Sequence, residues 1–202
     1  MQNDRWQRLM STLGLAGNEA TFASLTQAYA QAHRHYHNAD HIASCLKHLD
    51  VVSEFADEPA EIETALWFHD AIYDPHSASN ERDSADWAIR FLRDNVVAGD
   101  AVSRIERLIM VTAGHGVTSS IDEDLMIDID LSILGESPEV YDRFETAIRK
   151  EYNHVPEALF RHKRKEILSE FLEREQLYRT RYFIDHFQGQ ARVNLTRAIK
   201  AL

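Results

Sequence analysis

Ionisable side chains on an apolar helix face are costly to bury unless they are paired or bound to a metal, and three stretches of this sequence carry them. His69 lies four residues after Ala65, three after Leu66 and four before Tyr73, which directs it toward a core. Asp70 borders that face, about 100° further round. Asp130 lies four residues after Met126 and four before Leu134, flanked by Ile129 and Ile133, so periodicity makes it, rather than Asp128, the buried carboxylate of its segment. His41, one turn before Cys45 and two before Leu49, sits on the edge of a third apolar face. Two imidazoles and two carboxylates from three helices form a mixed nitrogen and oxygen set, suited to Mn, Fe, Co, Ni or Zn and less well to Mg. A divalent cation held in this way acidifies a bound water into a nucleophile. A lone inward histidine is readily satisfied by a carbonyl and implies little. Several on separate apolar faces point to one shared cation, and so to hydrolytic chemistry.

The elements that must position these residues are helices. Apolar spacing predicts helices over residues 19–32 (Phe22, Leu25, Thr26, Tyr29), 40–56 (Ile42, Leu46, Leu49, Val52, Phe55) and 59–73 (Ile62, Ala65, Leu66, Ile72, Tyr73). Asn38 stands where an N-cap would, and Pro59 at a helix start. Further helices are expected over 81–97, 101–113 and 122–135. Long ones open at Pro138 and Pro156, and the last covers about 177–200. Short alternating strands are not evident, so the fold class expected is all-α, in one domain over 1–202 with a core of about 20–140 and a helical extension of about 141–202.

Composition narrows the partners. The net charge of -11 repels polyanions, which argues against long nucleic acid. From Arg149 onward, however, there are 12 Lys and Arg against seven Asp and Glu, with 10 against 26 before it. Such a basic flank beside an acidic metal-binding body suits a small phosphorylated molecule. No apolar run reaches the roughly 18 residues of a membrane span. A lone Cys45 and a start without a secretory pattern make the cytoplasm the expected compartment. Whether the long C-terminal helices form a homodimer is left open.

Three motifs, Tyr36-His37-Asn38-Ala39-Asp40-His41-Ile42, Trp67-Phe68-His69-Asp70-Ala71-Ile72-Tyr73 and Asp128-Ile129-Asp130-Leu131-Ser132-Ile133-Leu134-Gly135, together resemble the His, His-Asp, Asp signature of the HD superfamily. They are closest to its small bacterial predicted metal-dependent phosphohydrolases. The resemblance runs from about residue 20 to the C-terminus. It implies an HD-like helical bundle and assigns the metal ligands to His41, His69, Asp70 and Asp130, in agreement with the faces described above.

The same likeness supplies expectations about chemistry. The first motif is also similar to one in cyclic-nucleotide phosphodiesterases, which makes His37 the candidate general acid, with Asp70 at the reacting centre. Some relatives that cleave nucleoside monophosphates carry an acid two positions after the HD aspartate, where this chain has Ile72; Glu81 is then the candidate to hold a water or a substrate hydroxyl. Its alternative role is a first-turn acid favoured by the helix dipole. His115, between Gly114 and Gly116, falls with Thr112 in a place like that of a site residue in the resembling proteins. Phosphate calls for cations, ideally arginine. Arg34 near the first motif and Arg149 on the basic flank are the candidates, along with Arg161 and Arg164, while Asn38 joins the substrate-binding set. The expected function is hydrolysis of a small phosphorylated substrate, favouring a nucleotide, by water bound to one divalent ion (Mn, Ni, Co, Fe, Zn or Mg). The alternative is a non-catalytic HD module that senses a nucleotide or a metal. An oxygenase with paired irons would need more ligands than the sequence offers.

Overall fold

With seven glycines and four prolines in 202 residues, little interrupts the 3.6-residue apolar period. The computed structural model, which describes residues 2–114 and 116–202, is all-helical, without a strand among those residues. Two compact units divide the chain, Met1–Ile127 and Asp128–Leu202.

The first unit contains α1 (Asn3–Thr12), α2 (Glu19–Tyr29), α3 (Ala39–Val52), α4 (Pro59–Phe68), α5 (Asn80–Asp94) and α6 (Gly99–Met110), and α7 (Ile121–Asp130) begins in it. The helix α4 is central, packing against α1, α3, α5 and α6. Accordingly its residues from Ile62 to Phe68 are buried all the way round apart from Glu63, as expected of a helix enclosed on every side. The sequence reading did not anticipate α1. It docks through Trp6, whose ring meets Trp67 edge-on at 5.7 Å and 87° and whose Nε1 donates to the Gly17 carbonyl at 2.8 Å. An aromatic pair of this kind adds about 0.5–1.5 kcal/mol to the area it buries. The start of α4 is held from a distance. The Asp122 carboxylate accepts from the Asp57 and Glu58 amides at 2.8 and 3.0 Å, satisfying donors at the helix N-terminus that have no partner within it, while Pro59 occupies the first turn.

The second unit consists of a 3₁₀ turn (Leu131–Gly135), α8 (Pro138–Glu151), α9 (Glu157–Glu173), α10 (Arg181–His186) and α11 (Gln188–Ala201). The helix α11 packs on α9 and on the turn. Asn194 donates to the carbonyls of Leu134 and Glu136 at 2.9 and 2.8 Å, and the Tyr178 hydroxyl donates to that of Leu131 at 3.0 Å.

Several expectations are corrected. The helix predicted to reach Tyr73 ends at Phe68, so His69 to Tyr73 form a turn. The C-terminal helix is two helices broken at Phe187, which packs so closely on Gly135 that a Cβ there would lie 2.6 Å from Phe187 Cβ. Phe55, Ile72 and Val193, read as inward, are 54%, 37% and 56% exposed. Asp128, not Asp130, is the fully buried carboxylate of its segment. Its oxygens accept from the Arg179 and Thr180 amides and from the Thr180 hydroxyl, a long-range arrangement that helical periodicity does not reveal. Among the described residues, no helix is long and apolar enough to cross a membrane.

Candidate metal centre

Capping and turn chemistry place the two histidines. The Asn38 side chain accepts from the Asp40 and His41 amides, which starts α3 at Ala39 and fixes His41 on its first turn. At the end of α4, His69 keeps helical dihedrals (φ -56°, ψ -35°) and its amide donates to the Ala65 carbonyl at 2.8 Å, after which the chain departs. The carbonyls freed by that departure need partners. The Tyr29 hydroxyl donates to Trp67 O at 3.0 Å; Arg34 donates to Asp70 O and, at 2.9 Å, to Ala71 O. On the far side, the Ser84 hydroxyl accepts from the Ile72 amide and donates to its carbonyl. The turn that presents His69 and Asp70 is thus held from outside the helix that precedes it.

The donor atoms converge. His41 Nε2 and His69 Nε2 are 3.2 Å apart, and Asp70 Oδ2 lies 3.1 Å from His69 Nε2 and 3.4 Å from His41 Nε2. His69 Nδ1 is 3.0 Å from the Leu66 carbonyl; since that oxygen can only accept, the proton belongs on Nδ1 and the Nε2 lone pair faces the cluster. Asp70 Oδ2 is buried and has no hydrogen-bond partner despite the two nitrogens beside it, because those nitrogens offer it no well-directed N–H. Two ring nitrogens and a carboxylate oxygen crowded this closely are a donor set that a divalent cation would satisfy. The spacing fits one. Donors that bind a common ion at about 2.1 Å stand roughly 3.0–3.4 Å apart in octahedral or tetrahedral geometry.

The dividing line between the units falls inside α7, whose last turn carries Asp130. One ligand atom from each of His41, His69 and Asp130 lies within 4.8 Å of the other two, a group that could hold a metal ion. His41 and His69 are 6% and 2% exposed. Burial pushes the Asp70 carboxyl up, but electrostatic attraction to the neighbouring His69 and His37 rings outweighs it, holding the group well below the usual carboxylate range. An ionised carboxylate with one buried oxygen beside two imidazoles has the chemistry of a hard-to-intermediate divalent site.

The remaining expected residues fall in different places. His37 is half-buried, its ring stacked on Tyr73 at 4.2 Å and 6.2 Å from the His41 ring. Asn38 is spent on the α3 cap. Arg34 is 5% exposed, with its donors engaged by Gln31, His37, Asp70 and Ala71, and so is built into the fold instead of facing solvent. Arg149 binds Glu157 and the Tyr152 and Val155 carbonyls, tying the end of α8 to the start of α9. Arg161 holds the last carbonyls of α11 and Arg164 pairs with Glu145. Glu81 is on the first turn of α5, and no hydrogen bond or ion pair joins it to the cluster among the described residues. His115 lies outside the described residues. Tyr29, Tyr73 and Ser84, which frame the turn, escaped the sequence reading. Tyr29 and Tyr73 look like ordinary core residues there, and nothing in a lone serine twelve residues downstream announces its bonds to Ile72.

Comparison with known proteins finds no matching family model, no matching curated protein and no matching solved structure. The site therefore defines a class by its own chemistry, an all-helical protein with a His/Asp group able to hold a metal ion.

Proposed function

We propose that this protein is an HD-type metal-dependent phosphohydrolase acting on a small phosphorylated molecule, with nucleotides the favoured class. The observation that carries the reading is the convergence of His41, His69 and Asp70 at 3.1–3.4 Å around a buried carboxylate oxygen without a hydrogen bond. His41, His69, Asp70 and Asp130 would hold one divalent ion. When bound, such an ion supplies an acidified water and offsets charge on phosphoryl oxygens.

The chain's own residues do the rest. His69 keeps its ligating nitrogen unprotonated by giving its other N–H to Leu66 O. His37, half-buried and stacked on the Tyr73 ring, would be the group that gives the leaving oxygen its proton. No step is assigned to Glu81.

A second reading, a module that senses a metal or nucleotide without turnover, is favoured by one observation. Arg34 and Arg149, the guanidinium groups expected to meet phosphate, are engaged by protein carbonyls and Glu157. Metal analysis of the purified protein and of a His69→Ala/Asp70→Ala variant, followed by phosphate release from a nucleotide panel with Mn, Ni, Co or Mg, decides between them. Stoichiometric metal lost in the variant together with metal-dependent turnover supports the hydrolase. Metal without turnover supports the sensor, and no metal in either protein overturns the hydrolase and the metal sensor alike.

A further inference from the structure

We propose that Arg34 is a positioning residue that ties the metal ligand Asp70 to the segment bearing His37, an inference that rests on the metal reading above. A buried arginine at the edge of a site that handles phosphate invites the role of substrate clamp. Its geometry assigns another. Nε donates to Gln31 Oε1 at 2.9 Å, Nη1 to His37 O at 3.1 Å and to Asp70 O, and Nη2 to Ala71 O at 2.9 Å. The guanidinium carbon also stands 5.2 Å from the Tyr29 ring centre and 5.5 Å from that of Tyr73.

Each partner has a place in the site. Asp70 and Ala71 belong to the turn after α4, whose carbonyls have left the helical ladder, and Asp70 supplies the buried Oδ2. The carbonyl of His37 belongs to the segment that enters α3, and the His37 ring stacks on the same Tyr73 that lies beside the guanidinium. One planar cation therefore spans two segments more than thirty residues apart in sequence, setting the distance between the backbone of a ligand and that of a candidate proton donor. Only a fork can do this. A lysine ammonium keeps the charge but is a single point on a flexible stem and cannot serve three carbonyls on two segments in one plane. Residues that orient ligands from behind typically govern metal affinity by ten- to a hundredfold.

The test measures Mn(II) affinity by titration calorimetry for the wild type, Arg34→Lys and Arg104→Lys. Arg104 forks onto the Glu61 carboxylate at the start of α4, away from the ligands, so it controls for the loss of a guanidinium fork as such. Arg34→Lys should bind Mn(II) ten- to a hundredfold more weakly while Arg104→Lys stays within about twofold of wild type. In NMR spectra of the metal-free proteins, the His37 ring signals should move in Arg34→Lys and keep their wild-type positions in Arg104→Lys. Wild-type affinity in Arg34→Lys, equal weakening in both variants, or His37 signals indifferent to Arg34 overturns the coupling. Absence of Mn(II) binding in the wild type overturns the metal reading and the coupling with it. Should circular dichroism show that Arg34→Lys does not fold, Gln31→Ala replaces it: Gln31 is exposed, its loss frees one edge of the fork, and a drop of about two- to fivefold is expected, with unchanged affinity overturning the proposal.

Discussion

Asp70 in the first unit is half-buried with one oxygen fully enclosed, Asp128 in the second is buried whole, and the two are built in opposite ways. Asp128 is satisfied from every direction that matters: the Arg179 amide at 2.9 Å, the Thr180 amide at 2.7 Å and the Thr180 hydroxyl at 2.7 Å all donate to it, and they tie it to the start of α10. Asp70 has its Oδ2 buried among imidazole nitrogens at 3.1 and 3.4 Å with no hydrogen bond. A buried charge that is fully hydrogen-bonded is architecture. A carboxylate oxygen left without a hydrogen bond among imidazole nitrogens is what the proposed metal reading needs of a ligand. Burial alone would have ranked Asp128 first and missed the site.

The comparison breaks most sharply when each side is mutated and the other side's property is measured. His69→Ala removes a donor from the cluster and should lower Mn(II) affinity by more than about a hundredfold, beyond what losing a supporting residue costs; thermal unfolding of the metal-free protein should change far less. Asp128→Ala should do the reverse. Leaving two backbone amides and a hydroxyl buried without their acceptor costs about 3 kcal/mol, read by chemical denaturation, while titration calorimetry shows Mn(II) affinity within about twofold of wild type. If Asp128→Ala abolished metal binding, the division between architecture and ligand would be wrong.

A smaller effect sharpens the same contrast from the ligand side. Only the folded cluster gathers its donors, so Mn(II) at a hundred times its dissociation constant should stabilise the protein by about 2.7 kcal/mol, a rise in midpoint of about 5–10 °C for a chain of this size. Chelation by EDTA should reverse it. The shift should vanish in His69→Ala and persist in Asp128→Ala. A wild-type midpoint indifferent to metal would mean that the lone pairs at the cluster are quieted by protons alone.

Much of this was legible in the sequence, and the failures share a cause. The helix starts at Ala39, Pro59 and Pro138 follow from local capping chemistry, which twenty residues of context contain. His41 and His69 were found because ionisable side chains recur on several separate apolar faces, which one of them alone would not make significant. Where the reading failed, the decisive partner was distant in the chain. The end of α4 at Phe68 is held by Tyr29 and Arg34, the break at Phe187 is set by its packing on Gly135, and Asp128 is buried by residues 51 and 52 positions away. Arg34 and Arg149 were read by charge type, which says that a cation is present and not which acceptors consume it. The HD resemblance and the spatial cluster nominate overlapping residues by independent routes, one from motif order and one from the directions of lone pairs.

Asp122 provides the smallest and most selective test, because it pairs the first unit's location with the Asp128 style of bonding. Its carboxylate caps the start of α4 by accepting from the Asp57 and Glu58 amides. Burial pushes its pKa above the ordinary 3.8, the two amides pull it down, and the negative charges of Asp57 and Glu58 add to the rise, so the net direction is upward. A carboxyl that binds its proton more tightly when folded contributes stability fully below the unfolded value and loses it as pH rises through the folded value. Asparagine does not titrate and can still accept through one oxygen. The stability of wild type relative to Asp122→Asn, followed by urea denaturation from pH 4 to pH 7, should therefore be greatest at the acid end and decline toward neutrality, with Mn(II) affinity unchanged at pH 7. A gap that widened with pH would mean that the amides dominate over burial, as they do at Asp128. A loss of Mn(II) affinity would show that the start of α4, ten residues before His69, communicates with the ligands at its end.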